Sequence, residues 1–335
     1  MLGARITAIG TYVPERRLTN ADLEQMVDTN NEWIIQRTGI HERRITRSDE
    51  FTSDLCVSAV KDLMQRYDKT VEDVDMIIVA TSTPDFPFPS VSSIIQDRLK
   101  ISQTGAIDLS AACAGFVYAL HTAHSLISSG LHKKVLVIGA DTISKITDYT
   151  DRSTCILFGD GAGAVLVEKD EKSNSFIGFH LGSDGRGAQH VYRSGLSKKV
   201  NGIELIDTQY LVQNGREVFR WVVRNVPDSI RQILEKTQMS LDQVDWLIPH
   251  SANLRLIEPI CKKLEYPMEK TLYSLVNFGN TSAATIPLAL DLGIREGKVK
   301  NGDRVLMYGF GSGMVHAGHI LQINFDQQFS APTPL

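Results

Sequence analysis

Short runs of consecutive apolar residues alternate along this chain with longer stretches whose apolar residues recur every three to four positions. Runs at 4–10, 76–80, 105–109, 135–138, 164–168, 246–249 and 305–308 have the length and apolar content of strands. Periodic stretches at 20–27, 55–66, 91–99, 114–129, 215–235, 254–264 and 283–296 read as helices, the first behind a Thr19/Asn20 cap. Strands alternating with helices predict an α/β fold with largely parallel sheets.

The second half of the pattern repeats the first. Val74-Asp75-Met76-Ile77-Ile78 matches Val244-Asp245-Trp246-Leu247-Ile248, and Val135-Leu136-Val137-Ile138-Gly139 matches Val305-Leu306-Met307-Tyr308-Gly309, both at an offset of 170. Ser110-Ala111-Ala112-Cys113 matches Ser282-Ala283-Ala284-Thr285 at 172. Three matches in order at a nearly constant offset imply a duplication. The chain then divides into a first half at 1–170, a Gly- and Ser-rich connection or insertion at 171–214, and a second half at 215–335. The two halves would pack as pseudo-twofold partners, with strand ends from both converging on one cleft.

Composition narrows the class without naming a chemistry. The 335 residues are 42% hydrophobic with a net charge of −4, enough for one large or two medium domains and not a globally basic nucleic-acid binder. No apolar run approaches the roughly 18–20 residues of a membrane helix. The first ten residues lack the features of a signal peptide and read as a strand. The four cysteines are scattered with no CxxC spacing, which argues against a zinc site or disulfide framework and for a reduced, cytoplasmic protein.

Candidate chemistry centres on 107–120, where a strand-like approach passes through small residues into a helical pattern. Cys113 sits at that turn, where a helix N-terminus favours negative charge and lowers a thiol's pKa. The other reading is a small cysteine packing a strand–helix junction. Three second-half segments place polar groups where strands end: His250 after 247–249, Asn280 at a turn opening a helix, and the flexible Gly309-Phe310-Gly311-Ser312-Gly313. Ligands of open α/β sheets gather beyond such ends. A Cys, a His and an Asn there could form an acyl-enzyme and stabilise an oxyanion or enolate. Gly159-Asp160-Gly161-Ala162-Gly163 is followed by a strand pattern, so it is a structural turn rather than a dinucleotide loop. Trp33, with Arg37, Arg43, Arg44, Arg47 and Arg152, could sandwich a base and meet phosphates, or belong to an amphipathic helix with a solvated basic face.

The Cys113 motif, His250-Ser251-Ala252-Asn253, Gly279-Asn280-Thr281-Ser282, Phe158 through Gly163, and Glu32-Trp33 through Arg43 together resemble 3-oxoacyl-acyl-carrier-protein synthase III over nearly the whole chain. The resemblance implies the thiolase-like fold, two duplicated α/β halves in a five-layered αβαβα arrangement, and a homodimer. It implies a decarboxylative condensation of a short acyl-CoA primer with malonyl-acyl-carrier-protein, with no separate cofactor or metal and no membrane or nucleic-acid partner. Cys113 would carry the acyl group, His250 and Asn280 would stabilise the enolate, and the N–H groups of Cys113 and Ser312 would form the oxyanion hole. Trp33, Arg37, Thr38, Arg152, Phe219, Ala252 and Asn253 would bind CoA. Arg220, Arg255 and Lys262 would attract the acidic carrier protein, and Phe88 would close the partner subunit's acyl pocket. Two departures stand out, Ser251 where the family commonly has Gln, and Ser312 inside its glycine triplet. Rival readings are a condensing enzyme with a larger primer or a secondary-metabolite product, a cysteine hydrolase, and a degenerate binding protein.

Overall fold

The computed structural model describes residues 3–328 and 330. Its first sheet runs in the order Gly3–Tyr12, Asp160–Asp170, Lys134–Thr142, Met76–Ala80, Gly105–Leu109. The last three strands are parallel and the first two join antiparallel. The second sheet runs Trp246–Pro249, Arg304–Gly311, Val315–Gln322, Phe176–Gly182, with the first pair parallel and the rest antiparallel. Met76 pairs with Val135 and Trp246 with Val305, so the 170-residue offset holds in the register as well as the letters.

The layering follows from which helices can afford to be apolar all round. Gly115–Ser128 and Thr285–Arg295 lie between the two sheets, and in Thr285–Arg295 eight of eleven residues are buried. Thr52–Tyr67 and Val91–Arg98 cover the outside of the first sheet, and Gly215–Thr237 and Leu254–Leu264 the outside of the second. An outer helix needs only one apolar stripe. Gly215–Thr237 accordingly buries Val222, Val226, Ile230, Ile233 and Leu234 and turns its charged residues outward. The result is five layers, αβαβα.

Two features differ from the sequence reading. Residues 171–214 are not only a connection: Phe176–Gly182 is the edge strand of the second sheet, occupying the place Gly3–Tyr12 holds in the first. The turns Ala112–Ala114 and Ser282–Ala284 are both single 3-10 turns entered through left-handed backbone, φ 46° at Ala112 and 52° at Ser282. They correspond at an offset of 170, not 172, so the duplicate of Cys113 is Ala283 rather than Thr285.

Candidate active site

Each half lends its last parallel strand to the other half's turn. A Cβ on Gly309 would lie 2.8 Å from the Ala114 Cα, and one on Gly311 would lie 2.7 Å from the Cys113 nitrogen. Only glycine lets the strand Arg304–Gly311 run that close under the nucleophile turn. The cysteine thus sits where the ends of Gly105–Leu109 and Arg304–Gly311 meet, on the wall of a cavity of about 320 Å3 that His250, Asn280 and Ser312 also line.

The strand Trp246–Pro249 delivers His250 at its carboxyl end, where the His250 N–H donates to the Tyr308 carbonyl at 2.8 Å. Its ring stands edge-on to Phe310, and its Nδ1 lies 2.8 Å from the Thr285 hydroxyl oxygen. Burial pushes the imidazole down to about 3, so it is neutral at working pH. Asn280 is held through its backbone: its N–H donates to Leu157 and its carbonyl accepts from Gly159. Gly159 has no room for a side chain against the Phe278 carbonyl, so the chain packs tightly against the Asn280 loop there. The rest of the glycine run is not the expected turn, since Asp160 to Gly163 are the paired first residues of the strand Asp160–Asp170. The Asn280 Oδ1 accepts from the Ser282 N–H at 2.9 Å, which leaves the amide's Nδ2–H groups as the donors available to the cavity.

Cys113 Sγ donates to Ser282 Oγ at 3.5 Å, and the Ser282 hydroxyl bonds in turn to the fully buried Asp141. Asp141 also accepts from Thr81 Oγ1, Ser82 N, Thr83 Oγ1 and Ala283 N. Burial pushes its carboxyl up and these donors oppose the shift. Burial likewise pushes the Cys113 thiol up to about 12, the reverse of the lowering expected from the helix N-terminus alone. Desolvation of a thiolate here outweighs the partial charge of one helix end.

At the mouth, Trp33 is flanked by Arg152, 5.0 Å from its ring centroid, and Arg37 at 5.6 Å. Ala252 and Asn253 line the cavity itself. Thr38 does not face it: buried, it donates to the Ile34 carbonyl and accepts from the Ile40 N–H. Phe219 also lies off the cavity wall, exposed beside the lining residues Val218, Trp221 and Val222. Arg43 and Arg44 are not a solvated face. Both are buried, with Arg43 donating to Asn20 and to the Ile156 carbonyl beneath the Asn280 loop. Arg220, Arg255 and Lys262 are exposed on the two outer helices of the second half, and Phe88 is 86% exposed. Among the described residues no cluster of three or more His, Cys, Asp or Glu could hold a metal ion.

Known proteins match the chain over nearly its whole length. A family profile described as 3-Oxoacyl-[acyl-carrier-protein (ACP)] synthase III matches residues 107–185, and its C-terminal counterpart matches 234–323. The beta-ketoacyl-[acyl-carrier-protein] synthase III 2 of Halalkalibacterium halodurans is 66% identical over 319 residues, 95% of this chain and 96% of its own. The chain belongs to the 3-oxoacyl-[acyl-carrier-protein] synthase III family. The same organism's synthase III 1 is 44% identical over 315 residues, 94% of this chain and 97% of its own, so this enzyme sides with the copy numbered 2. The beta-ketoacyl-[acyl-carrier-protein] synthase III of Thermus thermophilus superimposes with a TM-score of 0.92 at 42% identity, covering 96% of this chain and 99% of that one.

Sequence reasoning about this synthase missed the second ring of the site. Ser282, Asp141 and Thr285 touch Cys113 and His250 or each other, and Tyr192, Trp221 and Phe310 wall the cavity. The only signal for Thr285 was its place in the repeat, and there it was matched with Cys113. The two departures from the family pattern are accommodated. Ser251 is fully buried and its Oγ accepts from the Ser274 N–H at 3.1 Å. Ser312 lines the cavity, and its hydroxyl donates to the Val191 carbonyl.

Proposed function

We propose that Cys113, His250 and Asn280 perform the family's condensation as two half-reactions in one cavity. The enzyme is a condensing acyltransferase of fatty-acid synthesis, joining an acyl-CoA primer to malonyl-acyl-carrier-protein. Cys113 Sγ attacks the primer thioester, its proton leaves with the CoA thiolate, and CoA departs as the thiol. Malonyl-acyl-carrier-protein then loses CO2, and the electrons of the broken C–C bond pass into an enolate whose oxygen accepts from His250 Nε2–H and an Asn280 Nδ2–H. The enolate carbon attacks the acyl carbonyl, whose oxygen is held by the amides of Cys113 and Ser312. Collapse expels Cys113 as thiolate, which recovers a proton from solvent, and releases 3-oxoacyl-acyl-carrier-protein.

What carries this reading is the convergence of Cys113 from one half with His250 and Asn280 from the other on a single cavity. The aromatic face of Trp33 between Arg37 and Arg152 suits the adenine and phosphates of CoA, with Phe219 at the rim and Ala252 and Asn253 along the pantetheine. Arg220, Arg255 and Lys262 form an exposed basic face for the acidic carrier protein. Gly105–Leu109 is an unpaired sheet edge with Ile107 exposed, and Phe86 and Phe88 are exposed too. Such an edge favours pairing with a second copy, so the working unit is a homodimer in which Phe88 meets the partner. No helix among the described residues is long and apolar enough to cross a membrane, and all four cysteines are free, in keeping with a cytoplasmic enzyme.

The half-reactions separate in the His250→Ala variant. It takes an acyl group from acyl-CoA at near the wild-type rate and loses about a hundredfold or more in CO2 release from malonyl-acyl-carrier-protein. Equal loss in both steps would remove His250 from the enolate's side of the chemistry.

A further inference from the structure

His250 has one N–H to place, and the placement decides whether the cavity is offered a donor or a lone pair. Neutral imidazole carries its proton on Nδ1 or Nε2, and the partner of the other nitrogen selects between them. Here Nδ1 is occupied by Thr285 Oγ1 at 2.8 Å, so Nε2 is left for the cavity. Thr285 is fully buried and opens the middle-layer helix Thr285–Arg295.

The threonine hydroxyl has a single proton and two acceptors in reach. Its oxygen lies 2.9 Å from the Ser282 carbonyl as well as 2.8 Å from His250 Nδ1. Donating to Ser282, it can only accept from Nδ1–H, which leaves Nε2 a bare lone pair. Donating to Nδ1, it forces the proton onto Nε2. The second arrangement strands no buried group, because the Ser282 carbonyl also accepts the Thr285 backbone N–H. Asn280, beside His250 on the cavity wall, is already committed as a donor, since its Oδ1 is taken by the Ser282 N–H. An enolate oxygen between them is repelled by a lone pair at Nε2 and bound by an N–H.

The duplication isolates the device. At the offset of 170, His250 corresponds to Ala80 and Thr285 to Gly115. The fold brings those two positions together as well: a Cβ on Gly115 would lie 2.9 Å from the Ala80 Cβ. The same juxtaposition is an empty packing contact in one half and an imidazole–hydroxyl pair in the other.

We propose that Thr285 is a positioning residue whose hydroxyl donates to His250 Nδ1 and thereby sets the imidazole in the Nε2–H form during decarboxylation. It is not among the residues that line the cavity, so acylation does not depend on it. This rests on the condensation reading above.

The test compares wild type, Thr285→Ser and Thr285→Val by three readouts: 15N NMR of the His250 imidazole, acyl-adduct formation by intact mass, and CO2 release from malonyl-acyl-carrier-protein. The His250 resonances are assigned by their loss in His250→Ala. The expected result is an Nε2–H imidazole in wild type and Thr285→Ser, and a tautomer mixture in Thr285→Val. CO2 release should fall about tenfold in Thr285→Val, the effect of one hydrogen bond, with acylation unchanged. An Nδ1–H imidazole in wild type complexed with an unreactive malonyl thioester analogue overturns the assignment, as does equal loss of acylation and decarboxylation in Thr285→Val. The wild-type spectrum decides even if Thr285→Val fails to fold. Wild type inert toward both acyl-CoA and malonyl-acyl-carrier-protein would instead sink the condensation reading, leaving the spectrum to judge Thr285.

Discussion

The Cys113 sulfur sits under opposed influences: the amide end of Gly115–Ser128 favours a thiolate, while burial and the nearby Asp141 charge oppose it, and burial wins. With the thiol pushed up to about 12, the thiolate fraction grows about tenfold per pH unit across the neutral and mildly alkaline range. Alkylation of Cys113 by iodoacetamide, followed by mass, should therefore keep accelerating from pH 7 to 9.5 without a plateau. A rate that levels off below pH 8 would mean the helix end dominates. Cys113, His250 and Asn280 stood out in the sequence not singly but together, because all three fall at strand ends or turns of the duplicated halves within motifs that resemble one family. Ser282, Asp141 and Thr285 did not stand out. They are ordinary polar residues of strand ends and helix entries, and Ser282 reaches Cys113 only across 169 positions of chain.

Among the elements, the continuous apolar strands and the stripe-patterned helices were readable, and Leu254–Leu264 falls on its expected bounds. Val315–Gln322 and Phe176–Gly182 were not, because glycines and histidines interrupt their apolar pattern. Those histidines form a cluster. His121 and His124 of Gly115–Ser128 face Phe176, Phe179 and His319, while His316 stacks on His180 and lies near Trp221 and Tyr308, with Lys236 close to His180. His319 is fully buried with neither ring nitrogen partnered. Burial depresses every one of these five imidazoles, His316 to about 4 and His319 to about 3. A folded-state value below the unfolded one means that the unfolded chain binds more protons, so stability falls as pH drops from about 6.5 toward 3. Denaturant unfolding in that window should show the slope, and His319→Phe should flatten it. An unchanged slope in the variant would assign acid lability to the carboxylates instead.

For the molecule as a whole, the duplication was readable as an offset, and the layering was not derivable from it. The five layers arise because both Gly115–Ser128 and Thr285–Arg295 are apolar enough to be enclosed by two sheets. Fully buried Asp291 of the latter pairs with Arg66 and Arg295 and so ties the middle layer to the outer helix Thr52–Tyr67. The exposed edge at Gly105–Leu109 and the exposed Phe86 and Phe88 predict a species of twice the 37.1 kDa chain in sedimentation at micromolar concentration. A monomer there would leave the acyl pocket closed by this chain alone. The central claim is the covalent one, that Cys113 accepts the primer. Intact-protein mass spectrometry after incubation with a panel of short straight and branched acyl-CoAs tests it most directly. One acyl group per chain on wild type, absent from Cys113→Ala, is the predicted result, and the preferred adduct names the primer. An adduct that persists in Cys113→Ala, or none with any short acyl-CoA, would contradict it.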